Sequence, residues 1–232
     1  MPSAAALDLP TASIAQTATV RLVASARLKE PALAPLADGD DDLDALVSLE
    51  YATHGRLAAE RRGLPDLDPR ELVAGVPHAA FINAAFTYTR LGGNRFNNAN
   101  RGAWYCAFEV ETSLAEVAWH LTRFLAETGS YDNTTDYAEM LADFIGAFHD
   151  LRGVTPPPAC LDPDTAIGYP EGQRLARRLR GDGSKGLVYP SVRRPTGTCL
   201  VAFHSASVQN VRQGAPWRLT WTGTSEPVVT RV

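Results

Sequence analysis

Apolar positions recur at helical spacing in some segments and at alternating or continuous spacing in others, which predicts a mixture of helices and strands. In the first half of the chain these patterns predict helices at about 40–63, 69–74 and 112–128, and extended segments at 19–24, 79–88 and 103–108. In the second half they predict helices at 131–148 and 171–180, a hairpin of 186–192 with 199–203, and a strand through Trp217 and Trp221. The order lacks the regular cadence of a doubly wound sheet, so we expect an α+β fold with a bent, mixed sheet surrounded by helices.

The start of the chain differs in composition from the rest. Residues 1–38 are rich in Ala, Pro, Ser and Thr, a composition that either stays loose or supplies an edge strand. We therefore expect an N-terminal arm over residues 1–38, which could contact a partner, and one compact domain over residues 39–232.

Charge and cysteine content narrow the functional classes. The formal net charge of −4 gives no global positive field to attract nucleic acid. Cys106, Cys160 and Cys199 stand far apart and form neither a CxxC pair nor a zinc-type cluster, so we expect reduced thiols, no metal site and a cytoplasmic protein. No signal-peptide pattern and no run of about 18 apolar residues is present, so neither secretion nor membrane spanning is expected.

The first candidate for chemistry is the segment 92–97, Gly-Gly-Asn-Arg-Phe-Asn. Its two glycines free the backbone, and Arg95 supplies a planar, permanently charged guanidinium that suits a phosphate. A surface turn with a solvated arginine is the alternative interpretation, because glycine-rich turns are common.

The second candidate combines Tyr105 and Glu116. On the helix at 112–128, Glu116, His120 and Arg123 lie opposite the apolar arc, near Trp104, Tyr105 and Trp119 in sequence. Aromatic rings beside a carboxylate would suit a flat, partly cationic ring. The alternatives are an ordinary solvated helix face with a Glu116–His120 pair, or a metal site, for which no third ligand is evident.

The third candidate is Ser191, which ends a predicted strand and precedes Arg193 and Arg194. This hydroxyl and its neighbouring guanidinium groups could contact a phosphate or a ribose, or could simply end the strand in a turn. Ser191 lacks the G-x-S-x-G context of a hydrolase nucleophile. The run Gly181–Gly186 lacks the spacing of a phosphate-binding Walker motif, and no G-x-G-x-x-G follows a strand.

Four blocks of sequence together resemble the RES family, which is named after an Arg, a Glu and a Ser. The blocks are Gly92–Asn97, Gly102–Tyr105, Glu111–Val117 and Gly186–Arg193, and the resemblance spans roughly residues 56–203. It implies a fold related to ADP-ribosyltransferase toxins, with NAD as the substrate and residues 39–232 as the catalytic domain.

The same resemblance implies roles for individual residues. Glu116 would be the catalytic carboxylate, Arg95 would hold the pyrophosphate, and Tyr105 would pack on the nicotinamide or its ribose. Arg56 would take the place of the first family Arg. Beyond the resemblance, we expect that Arg193 or Ser191 would position an inorganic phosphate. The family Ser has two candidates, which are Ser191 and the segment Tyr169–Gln173.

The function that the resemblance implies is that of a toxin that depletes cellular NAD. Such an enzyme would cleave the nicotinamide N-glycosidic bond by phosphorolysis or hydrolysis, with inorganic phosphate as a possible second substrate and no metal. An Xre-like antitoxin would occlude the active site, without direct contact with nucleic acid or membrane, and a homo-oligomer is allowed. The alternatives are an ADP-ribosyltransferase that modifies a protein and a catalytically silent protein-binding module.

Overall fold

A computed structural model describes residues 9–28 and 64–232 of the chain. Arg56 and the helix expected at 40–63 therefore lie outside the described residues, as does the boundary expected at residue 38.

The described ranges contain both helices and strands. The helices are α1 (Ala79–Thr87), α2 (Val110–Thr128) and α3 (Thr165–Gly181). The strands are β1 (Thr11–Ala24), β2 (Trp104–Ala107), β3 (Asp132–Asp150), β4 (Gly186–Pro190), β5 (Thr198–Ala202), β6 (Gln209–Thr222) and β7 (Val228–Arg231). Short 3-10 turns lie at Ser25–Arg27, Pro69–Glu71, Ala159–Leu161 and Ser205–Ser207. In these ranges, no helix combines the length and the apolar character needed to cross a membrane.

The seven strands form one sheet in the order β1-β2-β5-β4-β3-β6-β7, and β1 also pairs with β3. This extra pairing joins β1, β2, β5, β4 and β3 into a closed ring of strands, from which β6 and β7 continue. The pairing of β3 with β4 is parallel, whereas the other pairings are antiparallel. The expected α+β fold with a bent, mixed sheet is confirmed.

The helix expected at 131–148 is wrong, because this segment forms the long strand β3. The buried positions Ala138, Met140, Ala142 and Phe144 alternate with more exposed ones, and Ile145 is 59% exposed. Two alanines in this alternation hid the period of two, while larger residues at 137, 141, 144, 145 and 148 imitated a helical stripe. Pairing with β1 and β6, which are distant in sequence, makes the segment a strand.

The extended segment expected at 79–88 is also wrong. It forms α1, whose buried residues Ile82, Ala85 and Phe86 follow helical spacing. The helix expected at 69–74 is only a 3-10 turn, in which Asp68 and Glu71 form a capping box.

The remaining elements agree with the sequence patterns. The expected helix at 112–128 is α2, and the expected hairpin is the β4–β5 pair. The expected helix at 171–180 is confirmed as the later part of α3, which begins earlier, at Thr165, and contains Pro170. The strand expected at 19–24 is present as the second half of β1, but it is not an edge strand, because β1 pairs with both β2 and β3.

The core has two main parts, one on each face of the central strands. On one face, Val188 and Leu200 pack with Trp104 and with Phe86 of α1. On the other face, Leu187 and Val201 pack with residues of α3. Successive side chains along β4 and β5 therefore point to opposite faces of the sheet. Polar residues cluster on the face of Leu187 and Val201.

Candidate active site

A cavity of about 240 Å³ lies between β1, the strands β2, β5 and β4, and the helices α2 and α3. Four arginines line it: Arg21, Arg90, Arg95 and Arg193. Among the described lining residues, Glu116 is the acidic one, and Tyr105, Tyr169 and Tyr189 supply aromatic rings. The described part of the cavity thus combines a positive charge excess with one carboxylate.

Arg95 lies in the loop between α1 and β2 and is only 8% exposed. Its Nη1 donates to the backbone carbonyls of Cys160, at 2.7 Å, and Asp162, at 2.9 Å. Its guanidinium carbon lies 5.4 Å from the centre of the Tyr169 ring. These contacts fix the guanidinium against the wall of the cavity, so its orientation is set before any ligand binds.

The loop that carries Arg95 is held against α3 by close backbone contact. A Cβ atom on Gly172 would lie 2.1 Å from the carbonyl oxygen of Arg95, and one on Gly168 would lie 2.4 Å from Nη1 of Arg95. Gln173 donates from Nε2 to the carbonyls of Gly92 and Asn94, each at 2.9 Å. A side chain at Gly172 would therefore push the loop away, and one at Gly168 would clash with the Arg95 guanidinium and with the carbonyl oxygen of Asp162.

Glu116 projects from α2 into the cavity. Its Oε1 accepts a hydrogen bond from the Ser191 hydroxyl at 2.8 Å and lies 3.8 Å from Sγ of Cys199. The Ser191 hydroxyl also accepts from the backbone N–H groups of Arg193 and Arg194, each at 3.1 Å. The Ser191 turn therefore orients the carboxylate. Of the two candidates for the family Ser, Ser191 contacts Glu116, while Tyr169 lines the cavity.

Tyr105 lines the cavity from β2 and also supports the arginine loop. Its hydroxyl accepts from the backbone N–H of Phe96 at 2.9 Å and donates to Oδ1 of Asn97 at 2.8 Å. Burial raises the pKa of the Tyr105 hydroxyl, so it remains neutral. The ring is the part of Tyr105 that is free to contact a ligand.

Arg193 closes one side of the cavity by stacking on a tryptophan. Its guanidinium carbon lies 3.4 Å from the centre of the Trp119 ring, and Nη2 donates to the carbonyl of Pro163. Arg123 also lies against Trp119, at 5.0 Å. Burial and the nearby Arg95 lower the pKa of Arg193.

Several lining residues were not predicted from the sequence. Arg21 comes from β1, which falls in the segment treated as an arm, and it donates to the carbonyl of Tyr105 at 3.1 Å. Arg90 and Tyr169 stood outside the motif blocks used as site residues. His120 was noted, but only as a neighbour of Glu116. The useful signal for Arg21 would have been a charged residue within an otherwise apolar strand.

The apolar arc expected on α2 is largely present. Leu114 and Leu125 are buried against Leu219 and Trp221 of β6. The helical spacing of apolar residues also places Phe124 on this arc, but Phe124 is 58% exposed, so the prediction is wrong at this position. The opposite side of the helix turns Glu116 and His120 toward the cavity rather than toward bulk solvent.

The three cysteines are free and buried. Cys106 and Cys199 line the cavity, and burial raises the pKa of the Cys106 thiol to about 12 and that of Cys199 well above its ordinary value. Both are therefore protonated thiols near neutral pH. Within residues 9–28 and 64–232, no group of three or more His, Cys, Asp or Glu side chains is arranged to hold a metal ion.

Comparison with known proteins gives a family match. The model of the RES domain matches residues 69–222. No curated protein matches the chain in sequence. A solved structure, the M. tuberculosis MbcT-MbcA toxin-antitoxin complex, aligns over 90% of this chain and 87% of that one, with a TM-score of 0.42 and 14% sequence identity.

Proposed function

We propose, from the premise that this chain belongs to the RES domain family, that it is a toxin enzyme that cleaves the bond between nicotinamide and ribose in NAD. The observation that carries the proposal is that Glu116 and four arginines share one cavity. Such a set of charges complements a substrate with two phosphates and a reaction centre that becomes cationic.

The arginines would hold the diphosphate. Guanidinium groups bind phosphate oxygens through paired, charge-assisted hydrogen bonds, and Arg95 is already fixed in place by two carbonyls. Arg21 lines the same cavity and supplies a further guanidinium group, and the role that the resemblance implies for Arg56 stays a prediction. A cavity of about 240 Å³ is small for a whole dinucleotide, so we expect it to receive the nicotinamide riboside and diphosphate, with the adenosine outside.

Glu116 would stabilise the transition state. When the bond from the anomeric carbon to nicotinamide breaks, its electron pair leaves with the neutral nicotinamide and the ribose becomes an oxocarbenium-like cation. A carboxylate held in a partly buried cavity stabilises such a cation more strongly than one in water. Ser191 and Cys199 approach Oε1, which leaves Oε2 as the oxygen able to face the ribose.

The tyrosines would bind the leaving group. Nicotinamide carries a positive charge before cleavage, and aromatic faces attract such a ring. Tyr105 and Tyr189 present rings to the cavity from β2 and β4, and the Tyr105 hydroxyl is engaged by the loop. The ring of Tyr105 is therefore suited to packing against nicotinamide or its ribose.

The oxygen that attacks the ribose would come from water or from inorganic phosphate. With water, the new C–O bond gives ADP-ribose and a proton is released; with phosphate, it gives ADP-ribose phosphorylated at the anomeric carbon. Arg193 lies at the cavity wall next to the Ser191 turn and is placed to bind a phosphate. Both reactions use the same carboxylate and the same arginines.

The family resemblance also leads us to propose an antitoxin partner of the Xre-like type that covers the cavity, and a cytoplasmic site of action in which NAD is depleted. An acidic segment of the antitoxin would complement the arginines.

Incubation of the purified chain with NAD tests the proposal. One sample contains NAD alone, a second adds inorganic phosphate, and a third adds a protein extract, with the label in the adenosine half of NAD. We expect free nicotinamide in the first or second sample, absent when Glu116→Gln replaces the wild type. Label on protein would instead identify an ADP-ribosyltransferase, and no nicotinamide release in any sample would leave a binding module.

A further inference from the structure

His120 lines the cavity but has no role in the reaction described above. It lies one helical turn after Glu116 on α2, so both side chains point to the same side. Its recorded ring contact is with Trp119, whose centre is 4.9 Å away in an edge-to-face arrangement. Among the described residues, none forms a hydrogen bond with either ring nitrogen. A partly buried imidazole with unpaired nitrogens is therefore available to a ligand in the cavity.

The groups around His120 are mainly cationic. Arg123 lies on the same helix, Arg90 and Arg95 face it from the loop before β2, and Arg193 faces it from the turn after β4. Two further groups of the cavity are the Glu116 carboxylate and the neutral Tyr169 hydroxyl of α3. Burial, and then the repulsion from these arginines, lowers the pKa of His120 to about 4. The imidazole is thus neutral near pH 7 when the cavity holds no anion.

An anionic ligand would reverse this balance. Two negative charges placed among the arginines would offset the repulsion that keeps the proton off His120. The imidazole nitrogen could then donate a charge-assisted hydrogen bond to a phosphate or sulfate oxygen.

We propose that His120 is a further anion-binding residue of this cavity, and that it takes up a proton when a doubly charged anion, such as the diphosphate of a dinucleotide, binds among the arginines. The inference rests on the proposed function only for the identity of the natural ligand. The residue is a binding group, since it does not need to touch the reacting carbon.

The test measures protons taken up per ligand bound. Isothermal titration calorimetry is run in two buffers with different ionisation enthalpies, with inorganic sulfate and, separately, ADP-ribose as the ligand. Both probes keep two negative charges over the range in which a histidine titrates, about pH 5 to 8, so a proton that is taken up belongs to the protein. His120→Asn removes the titration but keeps a side chain that can form hydrogen bonds.

His78→Asn serves as the matched control. His78 is exposed, precedes α1 and does not line the cavity, and its left-handed backbone, with φ 59°, is one that Asn tolerates. We expect measurable proton uptake by the wild type and by His78→Asn, and none by His120→Asn. The affinity of the wild type should rise as the pH falls, by at most about tenfold per pH unit for one proton, and should be flat in His120→Asn.

The outcomes separate this inference from the proposed function. Binding of sulfate with proton uptake, but no binding of ADP-ribose, would support the role of His120 and contradict the NAD proposal. Anion binding without proton uptake by the wild type, or with equal uptake by His120→Asn, would overturn the role of His120, as would a failure of both anions to bind. If His120→Asn does not fold, His120→Gln takes its place in the same comparison.

Discussion

The hydroxyl of Ser191 donates a 2.8 Å hydrogen bond to Oε1 of Glu116, although 75 positions separate the two residues in the chain. The same hydroxyl accepts the backbone N–H groups of Arg193 and Arg194. One polar turn therefore orients the carboxylate and also places an arginine at the cavity wall.

Replacement of Glu116 by Gln tests the carboxylate. We expect NAD cleavage to fall by roughly a hundredfold or more, because the amide cannot stabilise a developing cation as a carboxylate does. The fold should be retained, since the amide oxygen can still accept from Ser191. Nicotinamide release measures the activity and circular dichroism the fold; cleavage at the wild-type rate would remove Glu116 from the mechanism.

Replacement of Ser191 tests the positioning of that carboxylate. Ser191→Ala should lower kcat by roughly tenfold and the free energy of unfolding by about 1–3 kcal/mol, because two backbone N–H groups lose their acceptor. Ser191→Thr keeps the hydroxyl and should recover most of both quantities. If the Thr variant were as impaired as the Ala variant, the hydrogen bond would not be the cause.

Two glycines of α3 give a matched pair for the support of the Arg95 loop. A Cβ on Gly172 would lie 2.1 Å from the Arg95 carbonyl, whereas a Cβ on Gly181 would meet no atom within 4 Å. Gly172→Ala should therefore lower the free energy of unfolding by about 1–3 kcal/mol and weaken anion binding, while Gly181→Ala should lower neither. Urea unfolding and sulfate titration measure the two effects, and equal behaviour of the two variants would argue against this packing.

Replacement of Arg90 tests whether the charge of the cavity affects substrate binding without affecting the stability of the fold. It lines the cavity and is exposed, and its side chain forms no hydrogen bond with any described residue. Arg90→Ala should raise KM for NAD several-fold, more at low than at high salt, without changing the free energy of unfolding. Arg177→Ala removes an exposed arginine that does not line the cavity and is expected to have no effect. Equal changes in KM for Arg90→Ala and Arg177→Ala would show that the net charge of the protein, and not the position of Arg90, affects NAD binding.

The lowered pKa of His120 predicts a pH dependence of stability. The folded-state pKa of about 4 lies below the ordinary value of 6.5, so between these values the unfolded chain binds the proton more readily. The contribution to stability is present above pH 6.5 and is lost as the pH falls through about 4, on the order of 2–3 kcal/mol in total. Unfolding in urea at both pH values should show a smaller loss for His120→Asn than for the wild type. Equal losses would contradict the prediction.

Local sequence patterns were sufficient to predict an element where its apolar residues follow a clear helical or alternating period. The apolar stripe of α2 predicted that helix, and turn residues between two apolar runs predicted the β4–β5 hairpin. They failed at β3, where alanines blur the alternation and the decisive contacts are with β1 and β6. A helix and a strand of similar composition differ there only in their distant partners.

The candidate site likewise contains residues that were predicted from the sequence and residues that only the structure revealed. Arg95, Tyr105, Glu116 and Arg193 were selected as separate motifs, and the structure brings these four to one cavity, with Ser191 in contact with Glu116. Arg21 and Arg90 were missed, and Tyr169 was considered only as part of the segment Tyr169–Gln173, because their approach to the cavity depends on how distant segments pack. Whether the selected residues act on NAD stays a prediction.

The order of residues along the chain was enough to indicate the family, the α+β class and most of the short elements, since each depends on neighbours within a few positions. The closed ring of strands, the approach of α3 to the Arg95 loop and the common cavity were decided only by the folded structure. Their physical reason is pairing and packing between segments far apart in sequence, such as β1 with β3 and Gly172 with Arg95. No local period encodes such contacts.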